Sequence, residues 1–351
     1  MGFAAYLGVL AAAPALGRRA VWTAIVLAVA AFAVAPVLLS HDVYSYLDYA
    51  RLGVVHGLDP YVHPPLAAPA DPAFARIDWT EATSAYGPLF TLATYPLAWL
   101  PVGLAIAALK ATAALSVLGL AAVVARVAAW RGADPLRAAA FVALNPLVLV
   151  HVVGGAHNDG LAMLLAMLAV AAVLSAREVS GGVALVGAIA IKASALFLAP
   201  FALAANQRSM GRLLFGGALA AVGIGVAAYL AFGWDWLSTF GLAGENQGRT
   251  SHLSIPITVA RLTGLDPEAV RLLALVLFIT LALELLLWAW RGGDWVRASA
   301  WTAAGLLLAT SWLLPWYLIW PLPLAAVSRD RPLQLLTLAL TAYQLGARIP
   351  L

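Results

Sequence analysis

Of 351 residues, 64% are hydrophobic and 10% charged, with a mean hydropathy of +0.93; this excludes an ordinary water-soluble domain, where charged side chains run near ~25%. The absence of cysteine excludes disulfides and thiolate metal sites. The formal charge of +4 arises from eighteen arginines and two lysines scattered without a basic run, so nucleic-acid binding has no support and the basic residues read as topology.

Apolar runs of about 20 residues predict an all-α, polytopic membrane protein. Residues 2–17 are apolar but lack a positive leading region, and read as a clipped helix rather than a signal peptide. Arg18 and Arg19 precede the run 20–39, which therefore runs outward. The segment 40–87 is then external, and carries His41, His56 and His63 with Asp42, Asp48, Asp59, Asp71, Asp78 and Glu81. The stretch 88–100, broken by Pro96 and followed by Pro101, is too short to span and reads as a shallow piece.

Residues 102–127 cross inward to Arg126, Arg131 and Arg137; 138–152 return outward; and 161–176 go back in. The loop 153–160 is thus external. A full crossing by 181–204 would strand Arg208 and Arg212 outside, so this segment is expected to dip and turn back near Lys192-Ala193-Ser194. Residues 213–232 run out, 233–268 form another external loop, and 270–290 return. The runs 298–314, 315–327 and 333–346 complete the bundle. Twelve arginines then lie inside and eleven of sixteen acids outside, which supports the orientation. No internal repeat, soluble domain or low-complexity segment interrupts it, so residues 1–351 read as one membrane domain.

In this threading all six histidines lie on or near the external face with most of the acids. A rim of carboxylates, imidazoles and aromatic rings suits a sugar, because polar groups bond hydroxyls while rings cover the apolar side of the pyranose. Asp42 opens the candidate site. Beside His41, at the membrane surface, its carboxylate is placed to accept a proton from an attacking hydroxyl; the alternative is that it caps the helix beginning at Val43. Asp159, in His157-Asn158-Asp159-Gly160, reads either as a helix cap or, with His157, as a sugar or metal contact.

Lys110, Lys192 and Glu284 lie in apolar stretches, where an ionisable group implies function or pairing. Lys192 would meet a lipid-borne phosphate at the apex of the dip, or would snorkel or pair with Glu284. Arg249 and His252 would clamp a phosphate from outside, or belong to a solvated loop. Asp59-Pro60-Tyr61 and Pro315-Trp316-Tyr317 read as a turn and an interfacial aromatic belt, which at most shape a pocket. No cofactor is expected; a divalent metal is compatible with the site, but no Asp-x-Asp element supports one.

Six motifs taken together carry a family resemblance: Ser40-His41-Asp42-Val43-Tyr44-Ser45-Tyr46; Gly57-Leu58-Asp59-Pro60-Tyr61; Tyr86-Gly87-Pro88-Leu89; Asn145-Pro146-Leu147 with Gly154-Gly155-Ala156-His157-Asn158-Asp159; Lys192-Ala193; and Pro315-Trp316-Tyr317. Over about residues 20–328 the chain resembles the polyprenol-phosphate-mannose-dependent mannosyltransferases of actinobacteria, members of the GT-C superfamily. The resemblance implies a GT-C multi-helix bundle whose external loop carries the catalytic aspartate, here Asp42. It implies transfer of mannose, with inversion, from a polyprenyl-phosphate donor to a lipid-anchored mannan such as lipomannan, with an alpha-1,6 linkage.

His41, Tyr44, Tyr61, Tyr86, His157, Asn158, Asp159, Lys192, Arg249, His252 and Trp316 are the expected substrate contacts. The expected location is the plasma membrane, with the site facing out. The rival function is a lipid-linked sugar flippase or transporter, since a membrane-embedded Lys and Glu also suit a translocation path.

Overall fold

The structure, a computed structural model, describes residues 2–346, apart from the side chains of residues 243, 244, 246 and 247. The outermost residues of the expected 1–351 unit, 1 and 347–351, lie outside the described residues. Every regular element among those described is helical: α1 (Phe3–Val34), α2 (Asp42–Val54), α3 (Pro88–Thr94), α4 (Val102–Trp130), α5 (Pro135–Ala143), α6 (Asp159–Leu174), α7 (Glu178–Ile191), α8 (Ala199–Ala205), α9 (Met210–Phe232), α10 (Ser238–Gly248), α11 (Ile255–Thr263), α12 (Pro267–Trp290), α13 (Trp295–Ala309), α14 (Leu322–Val327) and α15 (Arg331–Gly346), with short 3-10 turns between some of them. Among the described residues four helices, α1, α4, α9 and α12, are long and apolar enough to cross a bilayer. One apolar core runs from Tyr6 to Leu340 and joins the two ends of the sequence. The protein is an all-helical, polytopic membrane protein.

Proline and glycine account for most departures from the expected boundaries. The stub and the first span form one element, α1, broken at Gly17 (φ 75°), and the Tyr6 hydroxyl fixes its first part by donating to the Phe141 carbonyl at 2.6 Å. The helix ends at Val34, not Leu39. Pro36 forbids helical geometry to Ala35, which is extended (ψ 159°). Lys110 of α4 then donates to the Ala35 and Pro36 carbonyls (3.1 Å to Pro36). Its burial is thus explained by pairing with the unsatisfied end of α1, and it fixes the strand leading to Asp42.

The expected straight crossing 138–152 is broken. Pro146 lacks an N–H, so α5 stops and a π-helical turn, Val148–Gly154, continues at 63° to it. Buried Asn145 secures the joint, accepting from the Leu147 amide at 3.0 Å and donating to Thr341 at 3.1 Å. The run 315–327 is likewise divided, into a 3-10 turn at Pro315–Ile319 and α14.

The predicted dip between α7 and α9 is present. Lys192 breaks the helix in extended geometry (φ −152°, ψ 121°), and a 3-10 turn and α8 lead the chain back. Its two feet meet: Arg212 lies 3.5 Å from Glu178, while Lys192 at the apex reaches Asp159 at the opposite end of the bundle. That foot end also holds the ion pairs Arg131–Asp294 and Arg297–Asp330, both 2.5 Å. Gly87 seals the apex. Its amide donates to the Ile191 carbonyl at 3.1 Å, and a Cβ there would lie 2.1 Å from the Ala190 carbonyl oxygen.

The far end of α2 holds a second cluster of charge. Buried Asp71 accepts from Arg51 Nε at 2.8 and 2.9 Å and lies 2.7 Å from His56 Nε2, which holds its carboxyl below the usual range despite burial. Asp48, 1% exposed, has no hydrogen bond to either oxygen; burial and the charge of Asp71 push it from 3.8 to about 7 against the pull of Arg51. The folded state therefore holds this proton more tightly than the unfolded chain. Its contribution to stability is complete below about pH 4 and is lost as pH rises to about 7. Asp48→Asn is expected to raise the melting temperature more at pH 8 than at pH 5, where only part of the loss has occurred, read by tryptophan fluorescence in detergent. An unchanged decline between the two pH values would refute this account; Asp71 acts only below the window.

Candidate active site

Three chain segments deliver the site. The first is the irregular segment after α1, the second is the end of the π turn, and the third is the apex of the dip. The first two are stitched together, since the Leu38 amide donates to the Gly154 carbonyl at 3.2 Å. Each ends on a non-glycine residue in left-handed geometry, Leu39 (φ 59°) before Ser40-His41-Asp42 and Ala156 (φ 57°) before His157. Each such residue costs roughly 1–2 kcal/mol, strain that the surrounding packing holds at the site. Gly155 permits the approach, because a Cβ there would lie 2.6 Å from the His151 carbonyl and 3.1 Å from the His157 ring.

Asp42 begins α2, yet the helix-capping alternative is not what forms. The cap position is His41, without a side-chain cap bond. The Asp42 carboxylate instead accepts from the Trp79 indole N–H at 3.2 Å and lies 3.6 Å from His157 Nδ1. Burial pushes its pKa above the ordinary value, opposed by the Lys192 cation and the Trp79 hydrogen bond. His157 is fully buried and stacked on Trp316, ring centroids 3.8 Å apart. Burial first, and then the nearby Lys192 charge, drive its pKa well below the usual value. A neutral imidazole offers one N–H and one acceptor, so it can serve Asp42 and a substrate hydroxyl at once.

Asp159 heads α6, and its side chain does not cap that helix either. One oxygen accepts from the Trp320 indole at 2.8 Å and the other from Lys192 at 2.6 Å. Lys192 therefore pairs with Asp159 and not with Glu284, which is exposed on α12; the ammonium also stands 5.6 Å from the Tyr317 ring centre. Around these charges lie buried polar atoms with no hydrogen-bond partner among the described residues: the Tyr46 hydroxyl, both ends of the Asn158 amide, and both His157 nitrogens. Unmet groups of this kind are rare in folded proteins and mark a place where a polar ligand belongs. Among the described residues no three His, Asp or Glu converge as a metal site.

The remaining expected contacts divide. Arg249 is brought to the site, its guanidinium 5.3 Å from the Trp79 ring centre and 5.9 Å from that of Trp312, as Ser251 ties its loop to Ser311 and Leu313. His252 is not part of that clamp; it is exposed and bonded to Arg261 at 3.0 Å. Tyr86 packs edge-on against Tyr46, ring centroids 4.6 Å apart, beside the unmet hydroxyl. Tyr61 is a packing residue: its hydroxyl bonds Tyr86 and Thr91 at 2.9 Å, and its ring meets Phe232. Tyr44 is buried beneath Arg76, and His41 is exposed with Asp78 at 3.0 Å, so both brace the loop over Asp42.

Sequence reasoning missed Trp79, Trp312 and Trp320, and quoted Tyr46 and Tyr317 within motifs without naming either as a contact. Trp316 and Trp320 are four apart, the spacing of one helical face, and this was the available signal for one of them.

Residues 2–208 match the family described as alpha-(1->6)-mannopyranosyltransferase, N-terminal domain. The chain is 31% identical over 333 residues to alpha-(1->6)-mannopyranosyltransferase A of Mycobacterium tuberculosis, covering 83% of this chain and 63% of that protein. It is 31% identical over 172 residues to alpha-(1->6)-mannopyranosyltransferase A of Corynebacterium glutamicum, covering 47% of this chain and 34% of the relative. The chain thus spans less than two thirds of the length of these relatives, and no solved structure matches it. With more than half of its residues inside the matched region, the chain belongs to the alpha-(1->6)-mannopyranosyltransferase family.

Proposed function

We propose that the protein transfers mannose from a polyprenyl-phosphate-mannose donor to a lipid-anchored mannan acceptor, with inversion and an alpha-1,6 linkage, in a GT-C bundle of the plasma membrane whose site faces outward. One observation carries the reading: the Asp42 carboxylate sits among unmet hydrogen-bonding groups of Tyr46, His157 and Asn158, with the Lys192 ammonium nearby. That is a base, a set of hydroxyl partners and a cation for a phosphate, gathered at one rim. The names of the relatives supply the sugar and the linkage.

In this scheme the acceptor hydroxyl attacks C1 of the mannose from the face opposite the phosphate. The new C–O bond forms as the C1–O bond to phosphate breaks, its electron pair leaving on the phosphate oxygen, while Asp42 takes the hydroxyl proton. Lys192, oriented by Asp159, offsets the charge gathering on the phosphate. His157 and Asn158 bond the sugar hydroxyls, and the Trp79 and Trp312 rings with Arg249 receive the acceptor.

Purified protein, polyprenyl-phosphate-mannose and a short alpha-mannoside should give a product one mannose longer, its linkage read by NMR. Because the base works only when ionised and its pKa is raised, kcat/KM should rise with pH through a midpoint above the ordinary carboxylate value of ~4. Donor binding without transfer to any mannoside would reject the proposal in favour of transport.

A further inference from the structure

We propose that two apolar cavities along α7 form one groove for the isoprenoid chain of the lipid phosphate donor, the groove ending beside Lys192. The inference rests on the donor reading above and assigns the lipid half of that substrate.

The inner cavity, about 610 Å³, is walled by Val179, Val183 and Gly187 of α7 and by Ala220, Gly223 and Ile224 of α9. The outer cavity, about 200 Å³, continues along the same α7 face through Val186, Ala190 and Ala193, and shares Ile224. Steps of three and four residues from 179 to 190 make one stripe on α7, with Ala193 just past the break at Lys192, so the cavities lie end to end. Val179 and Val183 are 37% and 40% exposed, which leaves the inner part open toward lipid.

The outer part reaches Gly87, Ala193 and Trp236; Ala193 follows Lys192 in the chain, although the lysine side chain, held by Asp159, does not line the cavity. Trp236 lines it too, with an indole N–H that is buried and has no partner among the described residues. A donor there, one residue along the chain from a lysine, matches a chain that is apolar along its length and carries acceptor oxygens at one end.

The groove's dimensions choose the occupant. One turn of a second transmembrane helix, about 10 Å wide, occupies roughly 400 Å³, twice the outer cavity of about 200 Å³ between α7 and α9. The 14 residues of α7 rise about 21 Å, the reach of roughly four extended isoprene units. Lipid tails are as apolar as the groove, so selection there comes from packing and shape, not from removal of water. Small residues supply that shape. A Cβ added at Gly223 or Gly225 meets nothing within 4 Å, so both positions keep space that a larger side chain would fill.

The test is Gly223→Leu and Gly225→Leu, with Gly211→Leu on the same helix, which also meets nothing within 4 Å, as the control outside the groove. The groove variants should raise KM about tenfold for a long-chain donor and leave a donor of one or two isoprene units within about twofold. A sugar-free polyprenyl phosphate with a photoreactive group on its tail should label peptides containing residues 179–193 and 220–225. Equal effects on long and short donors, or labelling confined to α12 and α15, would overturn the groove. The sugar-free probe reads it independently of catalysis: absent mannose transfer with α7 and α9 labelled refutes the transferase alone.

Discussion

Asp42→Asn is expected to lower the rate of mannose transfer by about 10²- to 10⁴-fold, the range that a positioned general base supplies, with little change in donor KM. The substitution keeps the shape of the side chain, and an amide oxygen still accepts from the Trp79 indole N–H. It removes the ability to take the acceptor proton. It also removes a carboxylate 3.6 Å from His157, whose pKa is depressed mainly by burial, so the imidazole stays neutral and the pocket keeps its hydrogen-bonding pattern. Transfer assayed under donor saturation, with the melting temperature as a check on folding, gives the answer. A folded variant retaining a third or more of wild-type kcat would place the base elsewhere.

Trp79→Phe separates the roles around that carboxylate. It keeps a ring beneath Arg249 but deletes the hydrogen bond to Asp42, whose raised pKa is partly restrained by that bond. The acid limb of the pH profile should therefore move to higher pH, while acceptor KM changes by less than about threefold. A shift to lower pH would contradict the assigned electrostatics.

What was legible in the sequence was what depends on local composition. The long apolar runs gave the spans, and two arginines beyond α8 were enough to imply that the segment around Lys192 turns back, since a crossing would have stranded Arg208 and Arg212. Asp42 stood out because it follows a spanning helix in an acidic, aromatic stretch. The bend at Asn145-Pro146 was carried by residues in plain view, but hydropathy averages over a window and does not register one missing N–H.

The partners of the site residues were not legible, because they come from distant parts of the chain. Trp79 is 37 residues from Asp42, and Trp320 is 161 from Asp159. Nothing local marks an indole as a hydrogen-bond donor to a particular carboxylate, and belt and pocket tryptophans look alike in sequence. His252 shows the converse. Three residues from Arg249 suggested a shared clamp, yet the loop turns so that one faces Trp79 and Trp312 while the other turns to Arg261.

Lys192 and Asp159 allow catalysis to be separated from stability. Lys192→Met alone leaves the fully buried Asp159 carboxylate with only the Trp320 indole, and Asp159→Leu alone leaves the ammonium without its 2.6 Å partner, with only the more distant Asp42 carboxylate to offset it. Breaking a buried pair typically costs about 3–5 kcal/mol, because the remaining charge has no compensation. Both single variants should therefore melt well below the wild type. The double variant Lys192→Met with Asp159→Leu removes both charges and should recover most of that loss, as apolar replacements of buried pairs do. Transfer should not recover with it: without a cation near the leaving phosphate, kcat should remain at least about 10²-fold down, the scale of losing one preorganised charge-stabilising group. Recovery of transfer together with the melting temperature would reduce the pair to a structural joint at the apex of the dip, and the phosphate would have to be met by Arg249 alone.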